Sequence, residues 1–289
     1  MGKKGKKAQA GKPKKLTPKD IGKRLDSLAK KMEEELKGAD LFVPLPPTED
    51  CAICLVPRSR LPHNSSYWPC CGNMICTGCV EENKALIKKH NEKNPGKKVA
   101  FPCSFCRELP PSSDGYIRWI EARALKNDHI ALRNLGSLFT QGNRGLPKDH
   151  LKALDCWIRA VELASAAACV KIGISYDKGY LGLAVDKERA ALFYRVGALR
   201  GDIVARHNIG RSEYHDLGNH EIGIRHWKIA AEGGSQDSLD ALREIYNADG
   251  RMPGKEFISK ECMDGLYRVC HDAQMEVASE EREKHRSEE

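Results

Sequence analysis

The sequence predicts a small α+β module that is rich in cysteine, followed by an all-α solenoid of helical repeats. Eight of the twelve cysteines lie between Cys51 and Cys106. From about residue 128 onward, small and apolar residues recur with a period of 37 residues, and such a period is typical of repeated helix pairs. A length of 289 residues is consistent with about two domains.

Residues 1–16 are predicted to form a disordered tail. Residues 1–19 hold eight lysines and no acidic residue, which by itself matches the formal net charge of +8 and leaves the rest of the chain close to neutral. A segment of this composition cannot bury enough apolar surface to fold. The tail can bind nucleic acid, an anionic surface or a nuclear import receptor, or it can only be solvated. The tail is the one segment through which nucleic-acid binding is possible.

An amphipathic helix is predicted over residues 17–38. Thr17 and Pro18 are typical of an N-cap and a first helical position, and Gly38 is typical of a helix end. The residues that recur on one face are Ile21, Leu25, Leu28, Met32 and Leu36. This face can dock on the cysteine-rich module or pair with another copy, but packing within its own protein is the favoured interpretation. The prolines in residues 39–48 predict an extended linker.

The cysteines of the module form four close pairs, which are Cys51/Cys54, Cys70/Cys71, Cys76/Cys79 and Cys103/Cys106. Two thiolates from one tight turn can bind one ion, and two such turns complete a tetrahedral zinc site. Four pairs therefore predict two structural Zn²⁺ ions, with disulfides or redox-active thiols as the alternatives.

Disulfides need an oxidising compartment, whereas the first thirty residues lack the apolar core of a signal peptide. We therefore expect a reducing compartment, the cytoplasm or the nucleus. No run of about 18 apolar residues is present, so no membrane span is expected.

The order of the pairs within residues 49–109 resembles a RING finger. Fifteen residues separate Cys54 from Cys70, and twenty-three separate Cys79 from Cys103. The resemblance implies a small zinc-stabilised α+β fold with a cross-brace, in which pairs one and three bind one zinc and pairs two and four bind the other. The implied ligands are Cys51, Cys54, Cys76 and Cys79 at site one, and Cys70, Cys71, Cys103 and Cys106 at site two.

The second pair departs from the common RING pattern. Most RINGs have a histidine one to three residues after the cysteine at this position, and in the commonest register Asn73 would take its place. An amide is a poor zinc ligand. The run from Cys71 to Cys76 instead fits an all-cysteine RING subtype, which predicts Cys70 and Cys71 as ligands. His63 or a water molecule is the alternative ligand of site two.

The resemblance also implies contacts with a ubiquitin-conjugating enzyme and with ubiquitin. Ile53 occupies the apolar position between the first two cysteines, where RING fingers contact the conjugating enzyme. Arg107 follows the last cysteine, where a basic residue bonds both the enzyme and the ubiquitin tail. Ser104 replaces a frequent proline, which weakens the expected docking surface.

A connecting helix is predicted over residues 110–127, then repeats over 128–272 and a charged tail over 273–289. Gly136, Gly173 and Gly210 are 37 residues apart, and an aromatic residue recurs in the second helix of each unit at Trp157, Tyr194 and Trp227. The pattern resembles the Sel-1-like repeat, a relative of the tetratricopeptide repeat. The resemblance implies a receptor surface for a protein substrate or an adaptor.

These features predict a RING-type ubiquitin ligase. Such a protein positions a ubiquitin-charged conjugating enzyme and has no nucleophile of its own, so its catalysis is positional. The repeats would be the receptor for the substrate or another partner. The alternatives are a non-catalytic, zinc-containing interaction adaptor and a nucleic-acid-associated protein that uses its lysine tail.

Overall fold

The computed structural model describes residues 16–61, 64–97, 99–109, 113–248 and 250–275. The lysine-rich segment 1–15, His63 and residues 276–289 of the charged tail lie outside the described residues. The helices are α1 (Pro18–Leu36), α2 (Thr77–Lys93), α3 (Ser113–Leu125), α4 (His129–Gln141), α5 (His150–Glu162), α6 (Ala166–Lys178), α7 (Lys187–Leu199), α8 (Ile203–Arg211), α9 (His220–Glu232), α10 (Gln236–Asn247) and α11 (Lys260–Met275). The strands β1 (Ser65–Trp68) and β2 (Asn73–Cys76) form a small antiparallel sheet. None of the described helices is both long and apolar enough to span a bilayer.

The repeats are consecutive helix pairs, α4 with α5, α6 with α7, α8 with α9 and α10 with α11, and each helix packs on the next. A glycine of the first helix lies against an aromatic ring of the second. A Cβ atom on Gly136 would lie 2.4 Å from the Trp157 indole, and one on Gly173 would lie 2.6 Å from the Tyr194 ring. The indole N–H of Trp157 also donates to the Arg133 carbonyl at 3.1 Å. The recurrent glycines therefore occupy close contacts between paired helices.

The third unit departs from the regular pattern. Helix α8 is only nine residues long and continues as a π-helical turn, Ser212–Asp216. Within this turn the buried carboxylate of Glu213 accepts hydrogen bonds from Arg195 at 3.1 Å and from Asn219 at 2.9 Å. The apolar core divides here into one cluster that extends from α1 to α8 and another around α9, α10 and α11.

Helix α1 packs on the repeats. It begins at a capping box formed by Thr17 and Asp20. Its apolar face contacts α5 and α7, and Leu25 and Leu28 are almost fully buried there. The face therefore packs within its own protein, as favoured, and it does so on the repeat helices rather than on the cysteine-rich module.

The strap, residues 39–48, continues from α1 across the repeats. The wholly buried guanidinium of Arg206 donates to the Leu41 carbonyl at 2.6 Å and to the Ala198 carbonyl at 3.1 Å. The Phe42 ring stacks on His226 of α9 at 4.8 Å, and burial lowers the pKa of His226 to about 4. Since a buried charge is costly unless it is hydrogen-bonded, the carbonyl of Leu41 helps to satisfy Arg206 and fixes the strap in place.

Leu25→Ala should lower the free energy of unfolding by about 2–5 kcal/mol, because it removes buried methyl groups and leaves a cavity between α1 and the repeats. Leu125→Ala on α3 is the matched control. Leu125 is 81% exposed, so this change should stay within about 0.5 kcal/mol. Denaturant unfolding followed by circular dichroism measures both variants, and equal effects would contradict the packing of α1 on the repeats.

Candidate metal centre

The first and last cysteine pairs lie in two turns of the same conformation, which we call the first and second knuckles. In the first knuckle the Leu55 N–H donates to the Cys51 carbonyl at 3.0 Å, and in the second the Arg107 N–H donates to the Cys103 carbonyl at 3.0 Å. Leu55 and Arg107 both have a positive φ, of 57° and 64°. This left-handed conformation is uncommon for residues other than glycine, and here it closes each turn just after its second cysteine.

The second pair lies in the turn of the β-hairpin. Trp68 at the end of β1 pairs with Asn73 at the start of β2, so Cys70 and Cys71 lie in the short connection between the strands. Gly72 has a φ of 79°, and its N–H donates to the Trp68 carbonyl at 2.8 Å. The adjacency of the two cysteines is thus accommodated by a tight turn.

The third pair lies where β2 meets α2. Cys76 is the last residue of β2 and the N-cap of α2, and Cys79 is in the first turn of that helix. The Cys79 N–H donates to the Cys76 Sγ at 3.5 Å. An unpaired N–H at the start of a helix therefore points at one of the sulfurs.

The eight thiols form two groups of four. Within each group, all Sγ atoms lie within 4.8 Å of one another. The first group contains Cys51, Cys54, Cys76 and Cys79, and the second contains Cys70, Cys71, Cys103 and Cys106. These are the two interleaved sets that the RING resemblance implied.

The spacing of the sulfurs is suitable for a tetrahedral ion. Zinc–thiolate bonds of about 2.3 Å place neighbouring sulfurs roughly 3.8 Å apart. The Sγ–Sγ distances are 3.8 Å for Cys54–Cys76 and Cys71–Cys103, 4.0 Å for Cys51–Cys79 and 3.5 Å for Cys70–Cys106. All eight thiols are free, as these distances require, because a disulfide bond is only about 2.05 Å long. Both groups can therefore hold a metal ion, and four sulfurs in a tetrahedron suit zinc.

Backbone N–H groups point at the sulfurs of the first group. Ile53 and Cys76 both donate from the backbone to the Cys51 Sγ, at 3.5 Å and 3.4 Å. Side-chain hydrogen bonds with Cys76 and Cys79 lower the pKa of Cys51, and the bond with Cys51 raises the pKa of Cys79. The charges of Cys76 and Cys51 also raise the pKa of Cys79, and a cation bound by all four thiolates would offset this repulsion.

The predicted remaining ligand of the second group is Cys70, with His63 or a water molecule as the alternative. Cys70 belongs to the group, and Asn73 lies at the start of β2, where its backbone pairs with Trp68. His63 lies outside the described residues. The structure therefore brings Cys70 to the site, and its role as a metal ligand stays a prediction.

Asn83 is a supporting residue that sequence patterns did not single out. It is buried on α2, and its side chain donates to the Ser104 Oγ at 3.2 Å and to the Pro102 carbonyl at 3.4 Å. Its Oδ1 accepts a hydrogen bond from the Arg107 guanidinium at 3.1 Å. Ser104, which we expected in the docking surface, is buried by this contact. One feature of the sequence indicates it: Asn83 follows Val80 by three residues, which places the two on the same face of α2, and both are buried.

The two proposed contact residues, Ile53 and Arg107, lie at the surface of the knuckles. Ile53 is 40% exposed, and Phe105 at the equivalent position of the second knuckle is 49% exposed. Leu55 beside Ile53 is exposed as well. Arg107 is also exposed. Each knuckle thus presents an apolar side chain to solvent from a rigid turn.

Two side-chain contacts fix the hairpin to the helices that follow. Arg123 of α3 donates to the carbonyls of Pro69 and Cys70, both at 3.3 Å. The Tyr67 hydroxyl donates to the Asp128 carboxylate at 2.6 Å, and burial raises the pKa of Tyr67, which keeps it protonated. The second thiol group is therefore held against the start of the repeats.

The four remaining cysteines lie outside both groups. Cys156, Cys169 and Cys270 are buried, and Cys262 is half-buried. Burial raises the pKa of Cys156 and of Cys169 to about 12, and thiols of this kind are inert because the thiolate is the reactive form. Within the described part of the chain, the two groups of four are the candidate metal sites.

The chain is similar to solved structures at 13–25% sequence identity. No protein-family model and no curated protein match the chain. A Sel1 repeat protein from Oxalobacter formigenes is 25% identical over 69% of this chain and 81% of its own, with a TM-score of 0.49. The protective antigen c5321 of uropathogenic Escherichia coli, which displays an SLR fold, is 24% identical over 54% of this chain and 33% of its own, with a TM-score of 0.44. The immunity protein Pa5087 from Pseudomonas aeruginosa is 13% identical over 68% of this chain and 84% of its own, with a TM-score of 0.35.

The full-length chain should bind two zinc ions, one for each group of four thiols. Cys70→Ser and Cys71→Ser should each lower the content to about one, because each removes a thiolate from the second group. Cys262→Ser is the control, since Cys262 belongs to neither group. Elemental analysis of reduced protein gives the stoichiometry, and two zincs in Cys70→Ser would show that another group completes the site.

Chelation should unfold the cysteine-rich module and leave the repeats helical. Apart from the thiols, the fully buried apolar side chains among the described residues of the module are Ile75 and Val80, with Trp68 and Phe101 partly buried against them. Metal binding must therefore supply most of its folding energy, of order 10–16 kcal/mol per structural zinc. Acidification should have the same effect, because protons compete with metal for the thiolates. Hydrogen exchange would show fast exchange in α2 and protection in α5 and α6, and parallel loss in both would contradict this.

Proposed function

We propose that this chain is a RING-type ubiquitin ligase whose helical repeats are the receptor for a protein substrate or another partner. The observation that carries this proposal is the interleaving of the two thiol groups, with pairs one and three in one group and pairs two and four in the other. This arrangement gives two similar knuckles that each present an exposed apolar side chain. A rigid apolar surface of this kind is suited to docking a partner enzyme.

Ile53 is the proposed anchor for the conjugating enzyme. Its backbone N–H is bound to the Cys51 Sγ, so the metal site fixes its backbone, while its side chain is exposed. A pre-positioned side chain loses little conformational entropy on binding. Phe105 is the equivalent residue of the second knuckle, and its exposure makes it a further contact that the sequence resemblance did not specify.

Arg107 is the proposed contact with the charged complex. Its left-handed backbone conformation places it at the end of the second knuckle, and its guanidinium donates to Asn83 of α2. A guanidinium has five donors, so Arg107 can keep this bond and still bind carbonyls of an enzyme and of ubiquitin. Asn83 would thus act as a positioning residue.

The proposed catalysis is positional. The thioester belongs to the conjugating enzyme, and the ligase holds it in the geometry for attack by the substrate lysine. Within the described part of the chain, the cysteines outside the two groups are buried or half-buried, and burial raises the pKa of Cys156 to about 12. This supports a mechanism without a covalent ubiquitin intermediate on this protein.

The covered surface of the repeats limits where a substrate can bind. Helix α1 lies across α5 and α7, and the strap reaches α9 through Phe42. The second helix of each of these three units is therefore already in contact with the N-terminal segment. We propose that partners bind along the first helices, where His207 and α10 line an open, polar cavity of about 590 Å³ with both acidic and basic side chains.

Ile53→Ala and Arg107→Ala should each reduce ubiquitin transfer strongly. Loss of the Ile53 anchor should cost about 2 kcal/mol of docking, or roughly a thirtyfold loss of affinity for the conjugating enzyme. Arg107→Ala should lower the transfer rate more than the affinity. Autoubiquitination and binding assays with a panel of conjugating enzymes measure the two effects.

Val185→Ala and Arg118→Ala are the matched controls, because Val185 is 61% exposed and Arg118 is exposed on α3. Neither residue is in the knuckles, so both variants should behave as the original protein. All variants should retain both metals and their helical content. Absence of transfer and of binding with every conjugating enzyme would overturn the proposal and favour a non-catalytic adaptor.

A further inference from the structure

A cavity of about 280 Å³ lies between the cysteine-rich module and the repeats, and we call it the junction cavity. Its walls on one side come from residues 48–49, 58–60 and Met74. On the other side they come from the starts of α4, α6 and α8. Three helix N-termini thus open onto one space, and each carries a partial positive charge.

The N-terminus of α6 differs from the other two. Its N-cap residue, Ser165, is 37 residues after Asp128 and 37 before Asp202, which are the N-caps of α4 and α8. Asp128 and Asp202 both cap their own helices through the side chain, whereas the Ser165 side chain makes no capping bond. Ser165 is only 4% exposed, lines the cavity and has no side-chain hydrogen bond to any of the described residues. Its hydroxyl and the first N–H groups of α6 are left for a ligand.

The charge on the walls is predominantly positive. Four arginines line the cavity, Arg58, Arg60, Arg133 and Arg200, against the two carboxylates Glu49 and Asp202. Both carboxylates have partners within the protein. Glu49 forms an ion pair with Arg58 at 2.6 Å, and Asp202 accepts a hydrogen bond from the Ala205 N–H at 2.8 Å.

The guanidinium of Arg133 makes no close ion pair, although the Asp202 carboxylate attracts it. It donates only to the neighbouring Asn134 side chain, and no carboxylate among the described residues forms an ion pair with it. The buried Nε of Arg58 also lacks a hydrogen-bond partner. By contrast, Arg200 is held by two hydrogen bonds to Glu35 of α1, at 2.9 Å and 2.7 Å. Arg133 and Ser165 therefore offer unpaired donors on the repeat side of the cavity, and Arg58 lines the opposite side.

We infer that the junction cavity binds a phosphate monoester or inorganic phosphate. The N–H groups at the start of α6, the Ser165 hydroxyl and the Arg133 guanidinium would be the donors. A phosphate group carries about 1.5 to 2 negative charges and three strong acceptor oxygens, which suits several convergent donors. Helix N-termini bind such anions through their free N–H groups.

Binding at this place would join the two halves of the protein. The donors from α4 and α6 lie on the repeats, and Arg58 follows the first knuckle. A bound anion would contact both and oppose their separation. The inference does not depend on ubiquitin transfer, because it concerns a different surface from the one that carries Ile53 and Arg107.

The test is calorimetric titration of the full-length, zinc-loaded chain at fixed ionic strength. The two probes are inorganic phosphate and N-acetyl-phosphoserine amide, with chloride as the reference. Saturable binding of either probe supports the inference, and the preferred probe shows whether the natural ligand is a free anion or a phosphorylated side chain. Absence of saturable binding for both would overturn it.

Two variants locate the site. Arg133→Gln should weaken binding about tenfold or more, because it removes a charged donor. Ser165→Asp should abolish binding, because a fixed carboxylate would cap α6 as Asp128 and Asp202 cap their helices, while thermal stability stays equal or rises. Arg118→Gln, exposed on α3, is the control and should bind normally. Equal binding by all three variants would place the anion elsewhere, such as on the lysine-rich segment, and would also overturn the inference.

Discussion

The interleaving of the two thiol groups is the constraint on which the cysteine-rich module depends. The chain leaves the first group at Cys54, supplies Cys70 and Cys71 to the second, and returns to the first at Cys76. With so small an apolar core, a metal ion in each group would hold the knuckles, the hairpin and α2 together. The same ions would fix the exposed side chains of the knuckles, while Arg123 and Tyr67 hold the hairpin against the repeats.

The N-terminal segment covers one face of the repeats, so the two faces differ. Helix α1 and the strap cover α5, α7 and part of α9, and the buried Arg206 ties the strap to the start of α8. A solenoid normally offers its surfaces to a partner, but here one row of helices already has an internal partner. Glu35 of α1 forms an ion pair with Arg200 at the edge of the junction cavity. Helix α1, the cysteine-rich module and the repeats therefore meet at this place.

Most of the candidate site could be predicted from the sequence, because the two cysteines of each pair are close together in the chain. Two cysteines three residues apart fall in one turn, so the pairs could be recognised without knowing the fold. Which pairs share an ion is a long-range question, and the RING resemblance implied the same grouping that the structure shows. Asn83, Arg123 and Tyr67 escaped detection, because each acts on a residue 19 or more positions away through a single contact.

The sequence by itself determined the knuckle turns and the capped, amphipathic α1, since each depends on residues a few positions apart. It also determined the 37-residue period of the repeats, because the same residue types recur at that spacing. Only the tertiary structure decided that α1 packs on the repeats and that Ser104 is buried. It also decided that Ser165 and Arg133 face a common cavity. These outcomes depend on which surfaces meet, and a stripe of apolar residues or an uncapped helix does not specify its partner.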